Sequence, residues 1–204
     1  RQDTTPLRMS RTLARNGKRR GAIFLDRDGV INACPKTRYI THWRQFWFLP
    51  GALEALKILR SRRKLVVIVS NQSGVGRGVF SKKRLQAITR AMLKTVRKAG
   101  GNVQAVYYCL HPPEDHCGCR KPRTGMLKKA ARKFSIDLSR SFVVGDSETD
   151  IRMGRSGGCR TVLVLSGRHS RATAGRLSVP PDRIAKGLPQ AVRWILRQQR
   201  REAG

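Results

Sequence analysis

A parallel β-sheet wound on both faces by helices, the α/β class, is what this sequence predicts, and three observations carry the prediction. Short apolar runs that read as buried strands alternate along the chain with stretches in which apolar residues recur at helical spacing. Several of those runs stop at a reactive polar residue, as strands do at the ligand-binding edge of an open α/β sheet. At 204 residues with no internal repeat and no linker, the chain fits one domain with a sizeable core.

Ala22 to Leu25 form the first strand, which ends in Asp26-Arg27-Asp28-Gly29. Cys34 to Trp47, with Pro35, Arg38, Tyr39 and several aromatics, is too irregular for an element and reads as a loop flanking the strand's end. Trp43, Trp47 and Tyr107 are expected to pack in core or loop. Gly51 opens a helix carrying Leu53, Leu56 and Leu59, and Leu65 to Val69 make the second strand. Ser70 to Gly74 then form a small-polar turn feeding Val75 to Gly78, where backbone N–H groups could cradle an anion.

Leu85, Ile88, Met92 and Val96 mark the next helix, stopped by Gly100-Gly101, and Val103 to Tyr108 give a third strand. Leu127, Ala130, Ala131 and Phe134 give a helix, and Phe142 to Val144 a strand ending at Gly145-Asp146. Thr161 to Leu165 are a further strand, Ser166 to Pro181 a polar loop, and Val192, Ile195 and Leu196 the inner face of a last helix. Residues 1 to 20 are polar and basic without trustworthy periodicity, so a basic N-terminal arm is expected before a domain spanning 21 to 200.

Lys and Arg number 44 against 12 Asp and Glu, a net charge of +32. Non-specific binding to nucleic acid or other polyanions follows from such a charge. Its source is either a natural polyanion-binding adaptation or deliberate supercharging of the surface. No run of about 18 apolar residues is present and no apolar segment follows the N-terminal arginines, so a soluble, cytoplasmic protein without membrane insertion is expected, a monomer.

Acids are scarce, yet Asp26, Asp28, Asp146, Glu148 and Asp150 take five of the 12 places at two strand ends. Clustered carboxylates repel unless a cation sits among them, and hard oxygen donors beside room for phosphate favour Mg2+. The bland alternative for Asp26 and Asp28 is turn formation with Gly29. Cys109, His111, Cys117 and Cys119 form C-x-H-x5-C-x-C within eleven residues. Three thiolates and an imidazole make a full tetrahedral set for structural Zn2+, with no place left open for catalysis; the alternative is buried thiols and one incidental reactive one. Cys34 and Cys159 read as free thiols without a mechanistic role.

With DRDGVIN, Ser70, Lys121 and VGDSETD in that order, residues 21 to 170 resemble the haloacid dehalogenase-like phosphatase superfamily. SNQSGVGRG and CLHPPEDHCGCRKP resemble its D-glycero-D-manno-heptose-1,7-bisphosphate 7-phosphatase branch, with the phosphatase domain of histidinol-phosphate phosphatase as near relative. The resemblance implies a Rossmann-like doubly wound sheet with a minimal cap and a zinc-binding loop at 109 to 119. It implies Mg2+-dependent hydrolysis of a small sugar bisphosphate at its 7-phosphate through an aspartyl-phosphate. Asp26 would be the nucleophile, Asp28 general acid then base, and Ser70 and Lys121 would hold phosphoryl oxygens. Asp26, the Asp28 carbonyl and Asp146 would bind Mg2+, and Asp150 would lie behind them, orienting Lys121 or complementing a helix dipole. Tyr39, Asn71, Gln72, Ser73, Arg77 and Arg120 would bind substrate, with Arg38 as a further candidate. Cys34-Pro35-Lys36-Thr37-Arg38 departs from the branch's usual residues ahead of the tyrosine, which bears on fine substrate selection.

Overall fold

The computed structural model describes residues 19–34, 39–167 and 175–201. Arg38, residues 1–18 of the expected basic arm and part of the expected polar loop lie outside them. Strands β1 (Ala22–Leu25), β2 (Leu65–Asn71), β3 (Ala105–Cys109), β4 (Phe142–Gly145), β5 (Arg160–Val164) and β6 (Arg183–Ala185) form one sheet in the order β3-β2-β1-β4-β5-β6. Every neighbouring pair is parallel. The helices are α1 (Ala52–Ser61), α2 (Ser73–Gly76), α3 (Lys82–Lys98), α4 (Gly125–Phe134), α5 (Glu148–Ser156) and α6 (Leu188–Arg201), with short 3-10 turns at Trp43–Gln45 and Pro113–Asp115.

The period of two along β1 divides the core. Ile23 and Leu25 face α1, α3 and α6, where Leu56, Leu59, Ile88, Met92, Val192 and Ile195 are buried. Ala22 and Phe24 face α4 and α5 through Met126, Leu127, Ala130 and Met153. Helices therefore cover both faces, and all four β1 residues are buried, which explains an apolar run without polar alternation. The predicted α/β class is the observed one.

Particular elements differ from expectation in instructive ways. β2 continues past Val69 through Ser70 to Asn71, because those residues pair in register with Tyr108 and Cys109 of β3. β6 was not expected; three residues are too few to show a period, and pairing with β5 creates the strand. Arg20 bridges to Ile136. Tyr107 is buried as expected, but Trp47 is 70% exposed and packs in no core.

In this strand order the chain leaves β1 toward β2 on one side and returns to β4 on the other. The crevice between the C-terminal ends of β1 and β4 is thus the switch point at which open α/β sheets bind ligands.

Candidate active site and metal loop

Asp26 leaves β1 with its N–H donating to the Val144 carbonyl of β4 at 2.9 Å, so the nucleophile candidate is tied to both sides of the crevice. Asp146 follows β4 directly and is buried. Gly29 has φ +80, and a Cβ there would collide with the Asp146 carboxylate, so only glycine lets the two loops approach. At the head of α5, Ser147 is the N-cap and Asp150 completes a capping box, with the Ser147 N–H donating to Asp150 at 3.2 Å.

Carboxylate oxygens of Asp26, Asp146 and Asp150 all lie within 4.8 Å of one another and are buried. Lys121 Nζ stands 2.9 Å from Asp26 and 2.6 Å from Asp150, and donates to the Val69 carbonyl at 3.3 Å. Asp150 therefore serves both as helix cap and as the orienter of Lys121. One ammonium against three buried carboxylates leaves a negative excess, and oxygen donors so gathered suit a hard divalent cation. Burial pushes the Asp26 carboxyl up to about 7; Lys121 works in the opposite direction, and Asp150, Asp146 and Asp28 add to the rise. Burial also opposes the charge of Lys121, but Asp150 and Asp26 outweigh it and hold its pKa above the ordinary lysine value.

Asp28 turns its carboxylate away from that cluster. Arg27 Nη2 donates to its two oxygens at 3.0 and 2.9 Å, Asn32 Nδ2 donates at 2.8 Å and Gln72 Nε2 at 2.9 Å. Burial disfavours the Asp28 charge, yet Arg27, Asn32 and Gln72 overcome that and hold the carboxyl below its usual range. Both Asp28 carboxylate oxygens are thus taken up by these three side chains. Ser70 is buried and its hydroxyl accepts from Gln72 Nε2 at 3.3 Å.

The expected substrate-binding residues divide. Tyr39 and Ser73 meet through their hydroxyls at 3.3 Å. Asn71 spends its amide on the Lys121 backbone, donating to the carbonyl at 3.3 Å and accepting from the N–H at 3.1 Å. Gln72 is spent on Asp28 and Ser70. Arg77 is paired with Glu114 at 2.7 Å, and Arg120 donates to the His111 carbonyl at 3.2 Å. Asn71 and Gln72 thus brace the site's framework, while Arg77 and Arg120 hold partners near the cysteine loop. Cys34, expected to stand apart from the chemistry, has its thiol 3.4 Å from Asp146 Oδ2.

Sequence reading passed over Arg27 and Asn32. Arg27 lies between two singled-out acids, but among 44 basic residues one arginine carries no mark.

The four candidate ligands in the cysteine loop converge. Cys109, Cys117 and Cys119 place their sulfurs 3.4 to 3.5 Å apart, with His111 Nδ1 3.3 Å from Cys119 and 3.7 Å from Cys109. A disulfide would need about 2 Å, and all cysteines are free. A tetrahedral ion with bonds of about 2.3 Å to sulfur sets its ligands roughly 3.8 Å apart, so the donor set fits one. Lys121 lies two residues beyond Cys119, and the loop delivers it to the cleft.

A family model described as HAD-hydrolase-like matches residues 118–191. D-glycero-beta-D-manno-heptose-1,7-bisphosphate 7-phosphatase of Helicobacter pylori is 34% identical over 176 residues, covering 85% of this chain and 96% of that protein. The chain belongs to this phosphatase family of HAD-like fold. The protein of the same name from Pasteurella multocida is 39% identical over 154 residues, covering 72% of this chain and 83% of the relative. The crystal structure of D,D-heptose 1,7-bisphosphate phosphatase from B. bronchiseptica, complexed with magnesium and phosphate, superposes with a TM-score of 0.82 at 35% identity, over 87% of this chain and 99% of that one. No described helix is long and apolar enough to cross a membrane.

Proposed function

We propose that this phosphatase removes the 7-phosphate of D-glycero-D-manno-heptose 1,7-bisphosphate in a Mg2+-dependent reaction in the cytoplasm. One observation carries the reading: Asp26, Lys121 and the Asp146–Asp150 pair, from three separate stretches of the chain, share a single buried cluster at the sheet's switch point. Relatives that bear the same activity in their names span most of the chain, which supports the choice of substrate.

Asp26 would attack phosphorus, forming an aspartyl-phosphate as the bond to the sugar oxygen breaks. Asp28, which Arg27, Asn32 and Gln72 hold ionised, would first take up a proton from solvent and then give it to that departing oxygen. It would then take a proton from water, whose oxygen attacks phosphorus and frees Asp26. Lys121 and Ser70 would hold phosphoryl oxygens, with Asp150 and the Val69 carbonyl fixing the ammonium. Asp26, Asp146 and the Asp28 carbonyl would hold Mg2+, which when bound offsets charge on the phosphoryl group. Tyr39 and Ser73, with Arg77 and Arg120 after release from their present partners, would meet the substrate's distal groups. Cys109, His111, Cys117 and Cys119 would hold a structural Zn2+, to be counted by elemental analysis. Salt-sensitive polyanion retention, read on a DNA column, would follow from +32 alone.

Phosphate release from the heptose bisphosphate and from histidinol phosphate, measured side by side with Mg2+, tests the assignment. Faster turnover of the heptose substrate is expected, and preference for histidinol phosphate would overturn it.

A further inference from the structure

Arg27 is the one fully buried arginine side chain among the largest enclosed groups of the described residues, at 0% exposure, and it sits between the two acids assigned to the chemistry. Its carbonyl accepts from the N–H groups of Val30, Ile31 and Asn32 at 3.4, 2.8 and 3.2 Å, so the turn after β1 closes around its own backbone. The guanidinium meets Asp28 along one edge. Nε lies 3.2 Å and Nη2 3.0 Å from Oδ1, while Nη2 also reaches Oδ2 at 2.9 Å. Phe46 and Tyr108 present their rings 6.0 and 5.9 Å from its central carbon. The Tyr108 hydroxyl is held in turn by Thr89 at 2.9 Å.

A buried guanidinium is costly unless paired, and it is retained where planar, two-point geometry matters. Here Nε and Nη2 are turned to a neighbouring carboxylate, Nη1 is buried without a hydrogen-bond partner among the described residues, and the whole side chain is closed off from solvent, so its reach toward the chemistry runs through Asp28. Asn32 and Gln72 complete a cradle in which both Asp28 oxygens accept hydrogen bonds from three side chains. Such a cradle removes rotational freedom from one carboxyl group, and angular precision is what a group shuttling a proton to and from one site requires.

We propose that Arg27 is a positioning residue for the acid/base carboxyl, acting with Asn32 and Gln72 to hold Asp28 at the leaving oxygen and later at the attacking water. The proposal rests on the reading of Asp28 given above. It separates Arg27 from the many surface arginines and ties it to proton transfer instead of binding.

The test uses substrates that differ in their need for a proton. A sugar phosphate leaves as an alkoxide and needs one, whereas p-nitrophenyl phosphate leaves as a stable phenolate and does not. Arg27→Lys keeps the charge but loses the two-point fork. In that variant, kcat on the sugar bisphosphate should fall about a hundredfold, the scale of misplacing a catalytic group by about 1 Å, with KM nearly unchanged. On p-nitrophenyl phosphate it should give a phenolate burst equal to the enzyme present and then slow turnover, since formation of the aspartyl-phosphate needs no proton and its hydrolysis needs the base. Equal losses on both substrates without a burst, or full activity, would overturn the proposal. Gln72→Leu removes one cradle donor, leaves the Arg27–Asp28 pair intact, and should show the same selectivity in weaker form; its absence there would count against the proposal even if Arg27→Lys failed to fold. Asp28→Asn assayed in parallel separates the two readings. Full activity of Asp28→Asn would remove the acid/base assignment itself, while an impaired Asp28→Asn beside an unimpaired Arg27→Lys would remove only the role of Arg27.

Discussion

The carboxylate cleft and the cysteine loop each gather four ionisable groups, and they do so by opposite routes. Asp26, Lys121, Asp146 and Asp150 come from the end of β1, the segment before α4, the end of β4 and the first turn of α5. They meet because parallel strands set their C-terminal ends side by side. Cys109, His111, Cys117 and Cys119 come from eleven consecutive residues and meet by local folding. The cleft is held by the sheet and carries unbalanced charge; the loop has no sheet to hold it beyond Cys109, the last residue of β3. Lys121 and Asn71 join the two, one delivering an ammonium to Asp26 and the other fastening the backbone at Lys121 to β2. Dependence should therefore run one way, from loop to cleft.

Asp26→Asn should give the largest effect, lowering turnover to background because an amide is a poor nucleophile. Zinc content, read by elemental analysis, should stay at the wild-type level; loss of zinc would contradict the one-way dependence. Lys121→Met leaves Asp26 and Asp150 buried without their counter-ion. Urea denaturation without Mg2+ should show a loss of about 3 kcal/mol, the lower end for breaking a buried pair, and added Mg2+ should restore part of it. Unchanged stability would mean that the cluster does not depend on this ammonium.

Cys117→Ser attacks the loop. It should reduce zinc content and thermal stability, and lower kcat about tenfold by loosening the segment that carries Lys121. Full activity in zinc-free protein would break the proposed link between the regions. The smallest effect concerns pH. The Asp26 carboxyl, ordinarily near 3.8, rises to about 7 in the fold. Between these values the folded chain keeps a proton that the unfolded chain has released. The stability it contributes is therefore complete below about 3.8 and is lost as pH rises through about 7. The urea midpoint of wild type relative to Asp26→Asn, in Mg2+-free buffer, should fall from pH 5 to pH 8; a flat difference would contradict the shift.

Five strands and four of the helices can be read from the sequence because each carries its own period or apolar run. β6 and the four-residue α2 cannot, since neither is long enough to show one. The convergence of the cysteine loop is legible for a similar reason: Cys109, His111, Cys117 and Cys119 lie within one segment. Asp26 and Asp146 are legible from their place at strand ends.

By itself, then, the sequence determined the α/β class, the strand ends that carry the acids, and the four-ligand loop, all properties set by neighbours a few residues away. Tertiary structure alone decided that Arg27 is the cation buried against Asp28, that Gln72 crosses from β2 to join it, and that Asn71 serves Lys121 instead of standing free. It also put Cys34 beside Asp146 and gave Arg77 to Glu114. The physical reason is reach. A polar side chain extends several ångströms and takes whichever partner the packing brings there; for Gln72, Asn71, Cys34 and Arg77 that partner comes from a strand or loop tens of residues away, and for Arg27 the burial of its own turn selects the adjacent Asp28.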